Sequence, residues 1–240
     1  MKIEKIDWPF YENRRPDCKV KYLIIHSFAF PIARILDIWK EFGVGPHYLI
    51  DEKGKIMQFV SEDNVAYHAG KSFWKGDTGL NFSSIGIELY SPSFGQEAYS
   101  EKQIESLIIL AKDVMKRNGI FSRNVLGHSD IAPTRKVDPG KAFPWKKLSE
   151  YGIGVWPRES KESQITGKNI KELLASIGYD VSDEKAALLA FLRHFMPEKI
   201  SKEADVFAME DNLKENIKKM QNPDKDIVSF LLNTFSMFKE

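Results

Sequence analysis

Val125-Leu126-Gly127-His128-Ser129-Asp130-Ile131-Ala132-Pro133, running on into Arg135-Lys136-Val137-Asp138-Pro139-Gly140, sets a histidine at the end of a short apolar run and an aspartate ten residues later. Two prolines and a glycine confine the loop between them. The apolar run reads as a strand that delivers His128, and Tyr22-Leu23-Ile24-Ile25-His26 repeats the arrangement elsewhere in the chain. Two strand-end imidazoles and one carboxylate, Asp138, suit a zinc ion that keeps its fourth position open, the hallmark of a catalytic rather than a structural site.

Outward from this stretch, strands and helices alternate. Lys21 to Ser27 has the length and β-branched content of a buried strand. Ile32 to Phe42 carries Ile35, Ile38, Trp39 and Phe42 at helical spacing, and Gly43 to Pro46 breaks it. His47–Asp51 and Lys55–Val60 flank Glu52-Lys53-Gly54 as a hairpin. Ser84 to Tyr90 reads as another strand, preceded by a long, polar, glycine-rich loop from Gly70 to Asn81. Ser100 to Asn118 is a helix, with Ile104, Leu107, Ile108, Ala111 and Met115 as its stripe, Ser100 and Gln103 in a capping-box arrangement, and Gly119 closing it. Pro144 to Tyr151 predicts a short closing helix.

This alternation predicts an α/β fold: a central mixed β-sheet flanked by helices, the hairpin supplying the antiparallel step. A small all-α domain follows it. Residues 1–19, punctuated by Pro9 and Pro16, read as an extended leader, 20–151 as the catalytic domain, 152–164 as a linker and 165–240 as the helical domain. In that last part Ile170, Leu173, Leu174 and Ile177 share one face, and Ala187, Leu188, Phe191, Leu192 and Phe195 another. Two more amphipathic stretches span 203–220 and 224–238.

Thirty-five basic and 34 acidic side chains leave a net charge of +1, which provides no field for nucleic acid or anionic lipid. Cys18 stands alone, so the fold does not depend on an internal disulfide. The charged N-terminus has no apolar core of a secretory signal and there is no integral membrane segment. A cytoplasmic protein is expected, with the periplasm or cell envelope reached by another route as the alternative.

His26, the HYLI and AYHAG segments, Glu88 in IGIEL, GHSDIAP and Lys136 with Asp138 in KVDPG follow one another in an order that resembles the zinc-dependent N-acetylmuramoyl-L-alanine amidases, over roughly residues 20 to 147. That family cuts the amide joining N-acetylmuramic acid to the L-alanine of the stem peptide. The resemblance implies peptidoglycan or muramyl peptides as substrate, one Zn2+ per chain held by His26, His128 and Asp138, Glu88 as general base and Lys136 as a cation for the oxyanion. Alternation turns Glu88 away from Ile87 and Leu89, and burial among apolar neighbours would raise its pKa toward the range useful for proton transfer.

Tyr48 is a secondary candidate, because phage relatives use a tyrosine there. Its rival reading is a buried strand tyrosine with its hydroxyl bonded. His68 is expected to touch substrate, and Trp74, Phe73 and Asn81 to offer a sugar or peptide platform on the long loop. His194, between Phe191 and Phe195, reads as structural. Asp138 in place of the cysteine of some relatives points to the bacterial recycling and lipoprotein types. The segment IKELLASIGYDVSDEKAALLAFLRHFMPEK resembles the three-helix peptidoglycan-binding module that follows the catalytic domain in the lipoprotein type. Two rival functions are a non-catalytic peptidoglycan-binding protein, against which the complete ligand set counts, and a protein-cutting zinc peptidase, for which the chain lacks HExxH.

Overall fold

Tyr22–Phe28 and Ser84–Tyr90 form two parallel strands, β3 and β9, at the middle of the sheet, registered so that His26 lies opposite Glu88. Both of their faces are covered, which is why they read as near-continuous apolar runs rather than as alternating strands. The computed structural model describes residues 2–157, 169–200 and 225–238. Among these, the sheet has the strand order β1-β5-β4-β9-β3-β10, with β1 at Ile3–Lys5, β4 at Tyr48–Ile50, β5 at Ile56–Gln58 and β10 at Val125–Gly127. All neighbours run parallel except β4 and β5, the expected hairpin.

Helix α1 (Ile32–Phe42) buries Ile35 and Trp39 and ends on Gly43 in the left-handed conformation. Helix α2 (Glu101–Asn118) covers one face of the sheet, packing Ile104, Leu107 and Ala111 on Leu23, Ile25, Ile85, Ile87 and Leu89. The Ser100 hydroxyl accepts from the Gln103 backbone N–H, but the Gln103 side chain does not close the capping box. Its amide instead donates to the Ile50 and Tyr90 carbonyls, fastening the helix start to the sheet.

The leader reading is corrected. Residues 3–5 form the edge strand β1, and Tyr11–Asn13 (β2) pairs antiparallel with Asn64–Ala66 (β6). Trp8 is buried against Trp39 and Phe59, and the Arg14 guanidinium donates to the Asn64 carbonyl at 2.8 Å. Three-residue strands are too short to show a period, so the sequence pattern could not reveal them. The long polar loop likewise contains a small hairpin, β7 (Phe73–Trp74) with β8 (Asp77–Thr78), then a 3-10 turn over Leu80–Ser83.

Short helices α3 (His128–Ile131) and α4 (Trp145–Glu150) follow β10. Then come α5 (Ile170–Ile177), α6 (Glu184–Phe195) and α7 (Lys225–Met237). The stretch expected at 203–220 and most of the expected linker lie outside the described residues. The helices are not a free-standing unit. Leu173, Leu174, Ile177, Phe191 and Phe195 share one continuous core with Tyr22, Ile24 and Leu126 of the sheet. Among the described residues no helix is long and apolar enough to cross a membrane.

Candidate metal centre

Parallel pairing brings the site together at the C-terminal ends of the strands, where open α/β sheets bind ligands. Gly127 of β10 is level with Ile25 of β3, so the next residue, His128, arrives beside His26. Asp130 turns the chain there, its Oδ2 accepting the Gly127 N–H at 2.7 Å. The loop returns to the same point through the Ser129 N–H bonded to the Asp138 carbonyl at 2.9 Å and the Tyr99 hydroxyl bonded to the Pro139 carbonyl at 2.6 Å.

His26 Nδ1 stands 2.9 Å from His128 Nδ1 and 3.4 Å from Asp138 Oδ2, and His128 Nδ1 stands 3.1 Å from Asp138 Oδ2. All three side chains are buried. A tetrahedral ion with bonds of about 2.0–2.1 Å needs ligand atoms roughly 3.3 Å apart, close to this triangle. Chemistry supports the fit. His128 Nε2 lies 3.2 Å from the Ala69 carbonyl, which only accepts, so Nε2 carries the proton and Nδ1 presents a lone pair to the carboxylate. Burial holds His128 neutral by lowering its pKa to about 3. A lone pair facing a carboxylate in a dry site repels unless a cation sits between them, so the donor set fits a divalent metal ion.

Above the triangle opens a cleft of about 620 Å³, lined by Glu88, Lys136, Asn81 and the aromatic rings of Phe30, Trp39 and Tyr67. Residues 15–141 match the family model described as N-acetylmuramoyl-L-alanine amidase, and that span holds the whole triangle and Glu88. The chain belongs to the N-acetylmuramoyl-L-alanine amidase family.

N-acetylmuramoyl-L-alanine amidase AmiD of Escherichia coli strain K12 is 36% identical over 217 residues, 78% of this amidase and 79% of that protein. The solved complex of E. coli AmiD with anhydro-N-acetylmuramic acid-L-Ala-D-gamma-Glu-L-Lys has a TM-score of 0.68 at 33% identity, covering 88% of this chain and 94% of that one. AmpDh3 from Pseudomonas aeruginosa in complex with anhydromuramic pentapeptide has a TM-score of 0.73 at 28% identity, covering 97% and 98%. These matches extend past the sheet into the helical part.

In the amidase Glu88 shares the face of His26, and its Oε2 is buried with no hydrogen-bond partner among the described residues. Burial first, and then the charge of Asp138, raise its pKa well above the ordinary carboxylate value, with Lys136 acting the other way. Lys136 lines the same cleft, partly buried. Arg135 also borders the cleft, and its guanidinium donates to the Ala69 and Lys71 carbonyls.

Two expected substrate contacts, Tyr48 and Trp74, are corrected. Tyr48 pairs with Ile87, not Glu88, and so falls on the α2 side of the sheet, its hydroxyl donating to Glu62 at 2.7 Å. Trp74 is 1% exposed and packs edge-on against Tyr179, since the helical part covers the loop that seemed open. His68 borders the cleft and stays a candidate substrate contact, with both ring nitrogens engaged on its inner side, Nδ1 2.9 Å from His26 Nε2 and Nε2 3.2 Å from Ser84 Oγ. Asn81 does line the cleft, with Oδ1 accepting the His68 and Ala69 N–H groups.

Sequence reading missed the partners of Asp130. Tyr179 donates to its Oδ1 at 2.8 Å and His194 to its Oδ2 at 2.7 Å, so α6 reaches the turn that follows β10. His194 is structural, as expected, and stacks on Trp145. Asp130 in GHSD was the available signal, but nothing in the chain's order names its distant partners.

The buried histidines set an acid sensitivity. Burial lowers His47 from 6.5 to about 3, lowers His128 equally far, and lowers His26 and His68 as well. Unfolded, each takes a proton below about pH 6.5. Between that pH and the folded values the unfolded chain binds more protons, so stability falls as pH falls, by up to about 1.4 kcal/mol per pH unit for each fully responding histidine. The metal-free amidase is expected to lose thermal stability steadily from pH 7 to pH 5 in differential scanning calorimetry. A flat profile would contradict the neutral, buried state of these rings.

Proposed function

We propose that this amidase is a zinc enzyme in which His26, His128 and Asp138 hold the ion, Glu88 moves the proton and Lys136 steadies the oxyanion. It hydrolyses the amide between N-acetylmuramic acid and L-alanine. The observation that carries the reading is the convergence of two imidazoles and a carboxylate beside a cleft lined by Glu88, whose Oε2 is buried with no hydrogen-bond partner among the described residues. Zinc bound there supplies a water of lowered pKa and polarises the scissile carbonyl.

Glu88, with its raised pKa, takes the proton of the attacking water and hands it to the departing L-alanine amine. The Lys136 ammonium, on the loop that bears Asp138, places positive charge where the carbonyl oxygen becomes negative. Asn81 offers its amide N–H groups at the cleft wall, and Phe30, Trp39 and Tyr67 offer apolar surface for the sugar and methyl groups.

Solved relatives hold anhydromuramyl peptides, which supports soluble anhydromuramyl peptides as the preferred substrate. Incubation of the zinc-loaded enzyme with anhydromuramyl-tripeptide and, separately, with intact sacculi tests this by mass spectrometry. Free tripeptide is expected from the small substrate, abolished by a chelator and restored by added zinc. Absence of tripeptide overturns the amidase reading, and faster release from sacculi overturns the preference for fragments.

A further inference from the structure

The Ser84 hydroxyl has one proton, and its oxygen lies 2.5 Å from the Leu80 carbonyl oxygen. Two oxygens this close require the proton between them, so Ser84 donates to Leu80. Ser84 Oγ can then only accept from His68 Nε2, 3.2 Å away. With its proton on Nε2, neutral His68 has a lone pair on Nδ1, which accepts from His26 Nε2 at 2.9 Å. The direction of every bond in the series follows from one backbone carbonyl.

We infer that His68 and Ser84 are positioning residues whose one-way hydrogen bonds keep the proton of His26 on Nε2 and its Nδ1 lone pair aimed at the metal. The reverse direction would put a proton on His26 Nδ1, pointing into the triangle where the ion belongs. His128 obtains the same tautomer from the Ala69 carbonyl, so the two ligands are set by independent devices. Ring nitrogens of metal-bound histidines are commonly fixed by such outer partners.

The surroundings hold His68 to this geometry. Asn81 Oδ1 accepts the backbone N–H groups of His68 and Ala69, at 2.9 and 2.7 Å. Gly86 lies directly against the ring, where a Cβ would come within 2.5 Å of His68 Cγ. The glycine of IGIEL, two residues before Glu88, is thus the seat of the imidazole. The inference rests on the reading of His26 as a zinc ligand.

Zinc affinity by chelator competition, with histidine tautomers from long-range proton–nitrogen NMR of the metal-free protein, tests it. His68→Leu is expected to weaken zinc binding 10–100-fold and to let His26 populate its Nδ1–H form. His68→Gln, whose amide accepts from His26 and donates to Ser84, is expected to bind zinc within about threefold of the parent. Ser84→Ala is expected to bind more weakly than the parent and more tightly than His68→Leu. Parent protein that fails to bind zinc overturns the metal reading and the relay with it. Parent that binds tightly while His68→Leu binds equally well overturns the relay alone. So does a parent spectrum with His68 protonated at Nδ1, which needs no variant to fold.

Discussion

His128→Ala is expected to remove zinc and activity together. The parent triangle has three protein donors, and loss of one leaves His26 Nδ1 and Asp138 Oδ2, 3.4 Å apart, as the remaining pair. Loss of an outer partner costs metal sites about 10–100-fold in affinity, so loss of a direct ligand should cost more, on the order of 1,000-fold or above. Metal content by mass spectrometry after dialysis, read beside tripeptide release, measures both effects. His26→Ala and Asp138→Ala should behave alike. Turnover that persists in a variant verified to be metal-free would refute the metal mechanism.

Glu88→Gln should separate catalysis from metal binding. Glu88 is no member of the triangle, and its Oε2 is buried without a hydrogen-bond partner among the described residues. A glutamine keeps the shape and cannot take the proton, so kcat should fall about 100- to 10,000-fold, the usual contribution of a positioned acid–base group. Zinc affinity should stay near the parent value. Folding stability should not fall, because burial already opposes the ionised carboxylate. A variant that loses zinc, or one that keeps full kcat, assigns Glu88 another role.

The helical part bears on the same centre. Asp130 caps Gly127 immediately before His128, and both its carboxylate oxygens are engaged by Tyr179 and His194. Together with the core shared by α5, α6 and the sheet, this makes the helices part of the frame around the loop that carries His128 and Asp138. The resemblance of this segment to a peptidoglycan-binding module rests on short sequence motifs. Its packing against the catalytic fold is what these contacts establish.

Local and periodic signals were legible in the chain. The largely apolar seven-residue strands β3 and β9, the stripe and caps of α1 and α2, and the hairpin all lie in contiguous residues whose chemistry dictates backbone conformation. The candidate metal donors were legible for the same reason, since a histidine ending an apolar strand is visible without its partners. Strand alternation also turns Glu88 away from Ile87 and Leu89.

Three things depended on tertiary structure. Tyr48 could have faced either side of the sheet until its pairing with Ile87 settled it, because a one-residue difference in register reverses the face. Trp74 looked like a loop aromatic until Tyr179, more than a hundred residues later, covered it. The tautomer of His26 follows from a carbonyl at Leu80 and a hydroxyl at Ser84, in an element separated from it by more than fifty residues. Sequence by itself determined which residues are able to donate, ligate or pack, since those are properties of single side chains and short periods. Only the folded chain decided which nitrogen bears the proton and which face meets the cleft, because hydrogen-bond direction and burial belong to pairs of groups brought together by topology.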